Sequence, residues 1–134
     1  MLGQFVRFLL VGVLNTCVGL SVIFAAMGLL GLAEAPANAV GYAVGLCVSF
    51  VLNKRWTFTH DGRALAAALR FLFAFAIAYG LNLATVLGAI AWFGLDPYLA
   101  QALGVPPYTI SFFLLSRYVV FRPSPLALRE TLAK

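Results

Sequence analysis

Arg7, Lys54, Arg55, Arg70 and Arg117 each stand at the edge of a long uncharged stretch of the 134-residue chain. A guanidinium offers its N–H groups in a planar fork that grips two phosphate oxygens at once, and an ammonium adds a point charge. This set is therefore equipped to hold a phosphate; the modest alternative is that the cations snorkel to the polar boundary of a membrane and set its topology. Asn53 and Trp56 lie in the same stretch as Lys54 and Arg55, and Ser116 precedes Arg117. Catalysis has little to stand on. His60 is the only histidine, next to Asp61, and no Ser/His/Asp set, metal-ligand spacing or phosphate-cradling Gly-Lys loop occurs. The expectation is a non-enzyme with no cofactor and no metal.

The elements that must position these cations follow from composition. Apolar residues make up 63% of the chain and charged residues only 10%, against about 25% charged in an ordinary soluble domain, and the mean hydropathy is +1.01. Uncharged intervals run over residues 8–33, 35–53, 71–95 and 97–116, of 26, 19, 25 and 20 residues. A helix needs roughly 20 apolar residues to cross a hydrocarbon core about 30 Å thick, so each interval predicts one membrane span. The fold class expected is an all-α polytopic membrane protein with four transmembrane helices. Ala33-Glu34-Ala35 has the small-x-small look of a signal cleavage site, but the apolar run before it is about twice the usual 7–15 residues.

All nine cations fall before the first interval, between the second and third, or after the fourth, while the two opposite loops carry only Glu34 and Asp96. The positive-inside rule then places both termini in the cytoplasm. This distribution also turns the net charge of +5 away from nucleic acid and toward a membrane face. Aromatic residues fit the same topology, with Trp92, Phe93 and Tyr98 around the outer loop and Trp56, Phe58, Tyr118 and Phe121 beside the inner cations. Cys17 and Cys47 fall inside spans and read as packed thiols.

Sliding the chain by 63 residues aligns residues 7–58 with 70–121 without a gap, and 13 of the 52 positions are identical. The shared Arg-Phe-Leu start, Gly-Leu pair and terminal Phe all occur at this one offset. We read a single membrane domain over 1–134, with repeats at about 7–58 and 70–121 and a cytoplasmic tail at 122–134. Two helices per repeat mean that both enter the membrane the same way, a parallel repeat, and transporters tend to form substrate sites where repeats meet. The plainer reading is a duplicated scaffold.

Within the spans, Asn15 and Thr16 lie about 12–14 Å past Arg7, and Tyr79 and Asn82 about 14–18 Å past Arg70, at 1.5 Å per residue. Each half thus carries an amide near mid-depth. Such groups bond neighbouring helices for about 1 kcal/mol or less each; the sharper role for Asn15, Tyr79 and Asn82 is to line a path for a polar headgroup. Gly41-x-x-x-Gly45 lets another backbone approach closely. Pro106-Pro107 predicts a break or kink in the fourth helix. No Asp or Glu lies within a span, and Glu34 falls in a loop, so the buried acid that a proton-coupled exporter of cationic drugs needs is missing.

Arg7-Phe8 with Gly12 and Asn15, then Ser49-Phe50 with Asn53-Lys54-Arg55-Trp56-Thr57-Phe58, resemble the two signature stretches of the GtrA-like family of small four-helix membrane proteins. The second half echoes them in Arg70-Phe71 and Ser116-Arg117-Tyr118-Val119-Val120-Phe121. The likeness covers about residues 5–121, and Asn53 to Phe58 is its most specific part. The chain departs from the family pattern in the fourth helix, where Phe112 stands near a position often held by Asn. The resemblance implies a place in cell-surface polysaccharide synthesis at the bacterial cytoplasmic (inner) membrane. The activity it implies is flipping of a polyprenyl-phosphate-linked sugar to the outer leaflet, beside a membrane glycosyltransferase. Arg7, Lys54, Arg55, Arg70 and Arg117 would gather at the inner helix ends as the phosphate-binding ring. The alternative from another class is a non-transporting partner that anchors or stabilises the glycosyltransferase. Four helices enclose little room, so a homo-oligomer is an expected way to shelter the sugar, with Gly41 and Gly45 as the first contact to consider.

Overall fold

Residues 1–122 are the part of the chain that the computed structural model describes, and nearly all of them are helical. In order they form α1 (Leu2–Leu30), α2 (Glu34–Leu52), a first π-helical segment (Asn53–Thr57), α3 (Ala64–Phe93), α4 (Pro97–Leu115) and a second π-helical segment (Ser116–Val120). No strand occurs among the described residues. Four spans, Leu2–Leu30, Glu34–Thr57, Ala64–Phe93 and Pro97–Val120, are long and apolar enough to cross a membrane. The all-α, four-span class read from the charge gaps is the class observed. Of the tail expected at 122–134, only Arg122 is described; Arg129 and Lys134 lie outside the described residues.

The chain divides into two compact units, Met1–Asp61 and Gly62–Lys134. In the first, α1 packs on α2; in the second, α3 packs on α4. Each pair is joined by a short turn that a glycine makes feasible. Gly31 and Gly94 end α1 and α3 at φ 63° and 60°, the left-handed region that a side chain resists. The following N–H groups reach back six residues, from Leu32 to the Ala26 carbonyl at 3.1 Å and from Leu95 to that of Ala89 at 3.3 Å. Asp96 then caps α4, its Oδ1 accepting from the Tyr98 N–H at 2.9 Å, with Pro97 at the first helical position where no donor is needed.

Subtracting 63 from Pro97, Leu115, Ser116 and Val120 gives Glu34, Leu52, Asn53 and Thr57, so the second helix and π-helical segment of each unit have the same bounds at that offset.

Several details differ from expectation. Glu34 is the first residue of α2, not a loop residue: the unpaired N–H groups of a first turn favour an acid there, and Pro36 fits the same turn. Arg7 and Arg70 lie inside α1 and α3, which begin at Leu2 and Ala64; the Ala- and Leu-only run 64–69 favours the earlier start of α3. Pro106 and Pro107 do not break α4, which is continuous from Pro97 to Leu115. The carbonyls that these prolines leave without a helical donor are those of Ala102 and Leu103, four residues earlier; the Ser111 hydroxyl donates to other carbonyls, that of Pro107 at 2.6 Å and that of Tyr108 at 3.1 Å. Cys17 and Cys47 are free but exposed, so they are not packed thiols.

Gly41 and Gly45 are both buried inside the first unit. A Cβ at Gly41 would strike the Ile23 side chain and come 2.9 Å from the Gly19 carbonyl; one at Gly45 would lie 2.7 Å from Asn15 Oδ1. The pair serves α1, and is not a free surface for a second copy. The outward faces are apolar instead, with Phe24, Leu29, Phe73 and Leu87 all exposed, a surface that suits hydrocarbon and not water.

Candidate functional site

At the end of the first unit away from its turn, Phe8 of α1 is buried against Phe58, ring centroids 6.4 Å apart. That contact brings the preceding residue, Arg7, alongside the π-helical segment. Arg7 Nη1 donates to the Trp56 carbonyl at 3.2 Å, and its Cζ lies 5.8 Å from the centroid of the Trp56 ring. The π-helical register explains why this carbonyl accepts a side chain. Backbone bonds here skip forward, from the Phe58 N–H to the Asn53 carbonyl at 2.9 Å and from the His60 N–H to that of Lys54 at 2.8 Å. Thr59, at φ 46°, then turns the chain away. A guanidinium carries five N–H donors, so the bond to Trp56 leaves most of them for a ligand. The side chains of Lys54, half-buried, and Arg55, exposed, make no hydrogen bond or ion pair among the described residues.

The corresponding end of the second unit is built on the same aromatic contact and differs in the cations. Phe71 packs on Phe121 at 6.1 Å and on Phe112 at 5.0 Å. Arg70 is exposed, and among the described residues its side chain has no such carbonyl to hold it. Arg117 is half-buried, its Cζ 5.5 Å from the Tyr118 ring. The five cations singled out from the sequence therefore lie at the turn-distal ends of their own units, three in the first and two in the second.

The polar residues expected along a headgroup path lie deeper. Asn15 is half-buried opposite Gly45, its Oδ1 without a hydrogen-bond partner among the described residues, and Asn82 is half-buried with its Nδ2 2.5 Å from where a Gly104 Cβ would stand. Each amide occupies a notch that a glycine leaves in the facing helix. Tyr79 is exposed and stacks on Phe75 at 6.2 Å. A cavity of about 380 Å³ in the second unit, lined by Thr85, Gly88, Trp92, Leu103 and Pro107 among others, is apolar, since the Thr85 hydroxyl is turned to the Leu81 carbonyl at 2.8 Å. Such a space suits hydrocarbon better than a sugar.

Sequence reasoning missed Thr57 and gave Ser49 no role of its own. Ser49, Asn53 and Thr57 are all buried on the side of α2 and its π-helical extension that faces inward. The signal was available in their spacing of four residues, which puts polar groups on one helix face. No group of three or more His, Cys, Asp and Glu among the described residues could hold a metal ion.

Four apolar spans in two helix pairs, with cations at the helix ends and apolar faces outward, define a small multi-pass membrane protein. The family described as GtrA/DPMS, transmembrane domain, matches residues 7–121, and the chain belongs to it. No curated protein matches the chain.

Proposed function

We propose that the chain moves a polyprenyl-phosphate-linked sugar from the cytoplasmic to the outer leaflet of the bacterial cytoplasmic membrane, for synthesis or modification of a cell-surface polysaccharide. The observation that carries this reading is the family match across 115 residues, 7–121, which takes in every cation at a helix end. In the proposal both termini are cytoplasmic, and Arg7, Lys54, Arg55, Arg70 and Arg117 attract the lipid phosphate while the tail stays in hydrocarbon. Asn15, Tyr79 and Asn82 are the polar positions met by the headgroup on its way.

Energetics support a passive route. With the cytoplasm negative, outward movement of one negative charge is favoured by about 2.3 kcal/mol per 100 mV, so an intramembrane proton acceptor is not needed. The proposed role involves no bond making and no cofactor, and its natural partner is the membrane glycosyltransferase that makes the lipid-linked sugar. The rival role is that of a non-transporting anchor for such an enzyme.

Arg55→Ala and Arg117→Ala test the phosphate site, one in each unit. Leaflet transfer of a labelled polyprenyl-phosphate sugar is expected to fall at least tenfold in each, because a charge-assisted bond contributes about 1.5–3 kcal/mol. Unchanged transfer in both, at matched protein levels, removes these cations from the mechanism.

A further inference from the structure

The first unit buries three polar side chains where the second buries one. Ser49, Asn53 and Thr57 are 7%, 1% and 1% exposed. Asn53 Nδ2 donates to Ser49 Oγ at 3.2 Å, while Asn53 Oδ1 and Thr57 Oγ1 have no hydrogen-bond partner among the described residues. Leaving a buried polar atom unpaired costs on the order of 1–3 kcal/mol. At the offset of 63 the same positions are Phe112, Ser116 and Val120, two of them apolar and all three buried. The second unit thus builds an equivalent helix end, π-helical segment included, with one buried hydroxyl, Ser116 Oγ, likewise without a partner among the described residues, in place of the three polar side chains.

Chemistry narrows what Asn53 Oδ1 can take, while the Thr57 hydroxyl both donates and accepts. Asn53 Oδ1 is an acceptor only, and a phosphate ionised on all its oxygens brings it no donor. A sugar hydroxyl does. Lys54 and Arg55 stand in the same five-residue segment, and Arg7 is bound to it at the Trp56 carbonyl. One short stretch therefore offers cations for a phosphate and, beside them, oxygens for the hydroxyls of whatever the phosphate carries. We infer that Asn53 and Thr57 are specificity-determining residues that accept hydrogen bonds from the sugar of the lipid, and that the Arg7 bond to Trp56, one residue before Thr57, loosens as the headgroup enters. This inference rests on the proposed function and adds to it which part of the ligand the first unit reads.

The test uses the full chain in lipid nanodiscs and compares two ligands, a polyprenyl-phosphate hexose and bare polyprenyl phosphate. Thr57→Val and Asn53→Ser copy the residues of the second unit, so the fold has a precedent for both. Each variant is expected to bind the sugar-bearing lipid about fivefold more weakly, the loss of roughly one neutral hydrogen bond, with binding of the bare lipid unchanged. Equal losses for the two lipids, or no loss for either, would overturn the sugar-reading role while leaving the translocase proposal standing. If the unaltered chain binds neither lipid better than phosphatidylglycerol, the translocase proposal itself fails, and this inference with it.

Discussion

In the first unit α1 and α2 approach through two glycines: a Cβ at Gly41 would lie 2.9 Å from the Gly19 carbonyl. In the second unit the position matching Gly19 is Asn82, and its amide, with Val86, fills the space before Gly104. The amide of the first unit has moved one turn along α1, to Asn15, and Ala78 stands at the matching place in α3. Toward the turn-distal end the contrast reverses. The first unit buries Ser49, Asn53 and Thr57, while the second clusters Phe71, Phe75, Tyr108 and Phe112 with centroids 5.0–6.4 Å apart. Equal bounds of the second helix and its π-helical segment thus coexist with unequal interiors. The bounds follow from turns and span length, which the membrane fixes, and the interiors are left to be specialised.

That contrast has measurable consequences, each comparing matched positions by unfolding in detergent. Phe71 is 1% exposed within its aromatic cluster, and Phe71→Ala is expected to cost about 3–5 kcal/mol, more than Phe8→Ala at the matching, 7% exposed position. Equal losses would mean that the cluster adds nothing. Next, Gly41→Ala pushes a methyl against a backbone carbonyl that cannot rotate away, for about 2–3 kcal/mol. Gly104→Ala meets the movable side chains of Asn82 and Val86 and should cost nearer 1 kcal/mol; the reverse order would refute the backbone-contact reading of the first seam.

Smaller effects separate the cations and the prolines. Arg7→Ala removes the bond to the Trp56 carbonyl and should lose about 1 kcal/mol of stability, whereas Arg70→Ala, with no such bond among the described residues, should lose none. A loss for Arg70→Ala as large as that for Arg7→Ala would undo the distinction. Ser111→Ala removes the hydroxyl that bonds the Pro107 carbonyl and is expected to cost about 0.6 kcal/mol. Val48, its counterpart in α2, has no hydroxyl to donate, and Val48→Ala tests only packing.

Much of this was legible in the sequence, for a physical reason: hydrocarbon excludes charge, so the gaps between Arg7, Glu34, Lys54, Arg70, Asp96 and Arg117 mark the four spans directly. Gly31-Leu32 and Gly94-Leu95, noticed as a repeated pair, mark the left-handed ends of α1 and α3. What packs against what was not legible. The lipid-facing side of these helices is as apolar as the core, so no amphipathic stripe tells whether Gly41 and Gly45 face α1 or another subunit, or whether Cys17 and Cys47 face in or out. The π-helical segments were hidden too, since a shift to five-residue hydrogen bonding depends on contacts such as Phe8 with Phe58 and Arg7 with Trp56. The cations of the candidate site were named from their spacing; the buried pair beside them, Asn53 and Thr57, came into view as a pair only with the fold.

The proposed translocation is tested most directly by leaflet transfer in liposomes that hold only the purified chain. A labelled polyprenyl-phosphate sugar placed in one leaflet should appear in the other at a rate well above that of protein-free liposomes, and faster when the membrane potential drives the negative headgroup across. Transfer at the protein-free rate, with a co-reconstituted glycosyltransferase still losing stability when the chain is withdrawn, would contradict the translocase and leave an anchoring partner in its place.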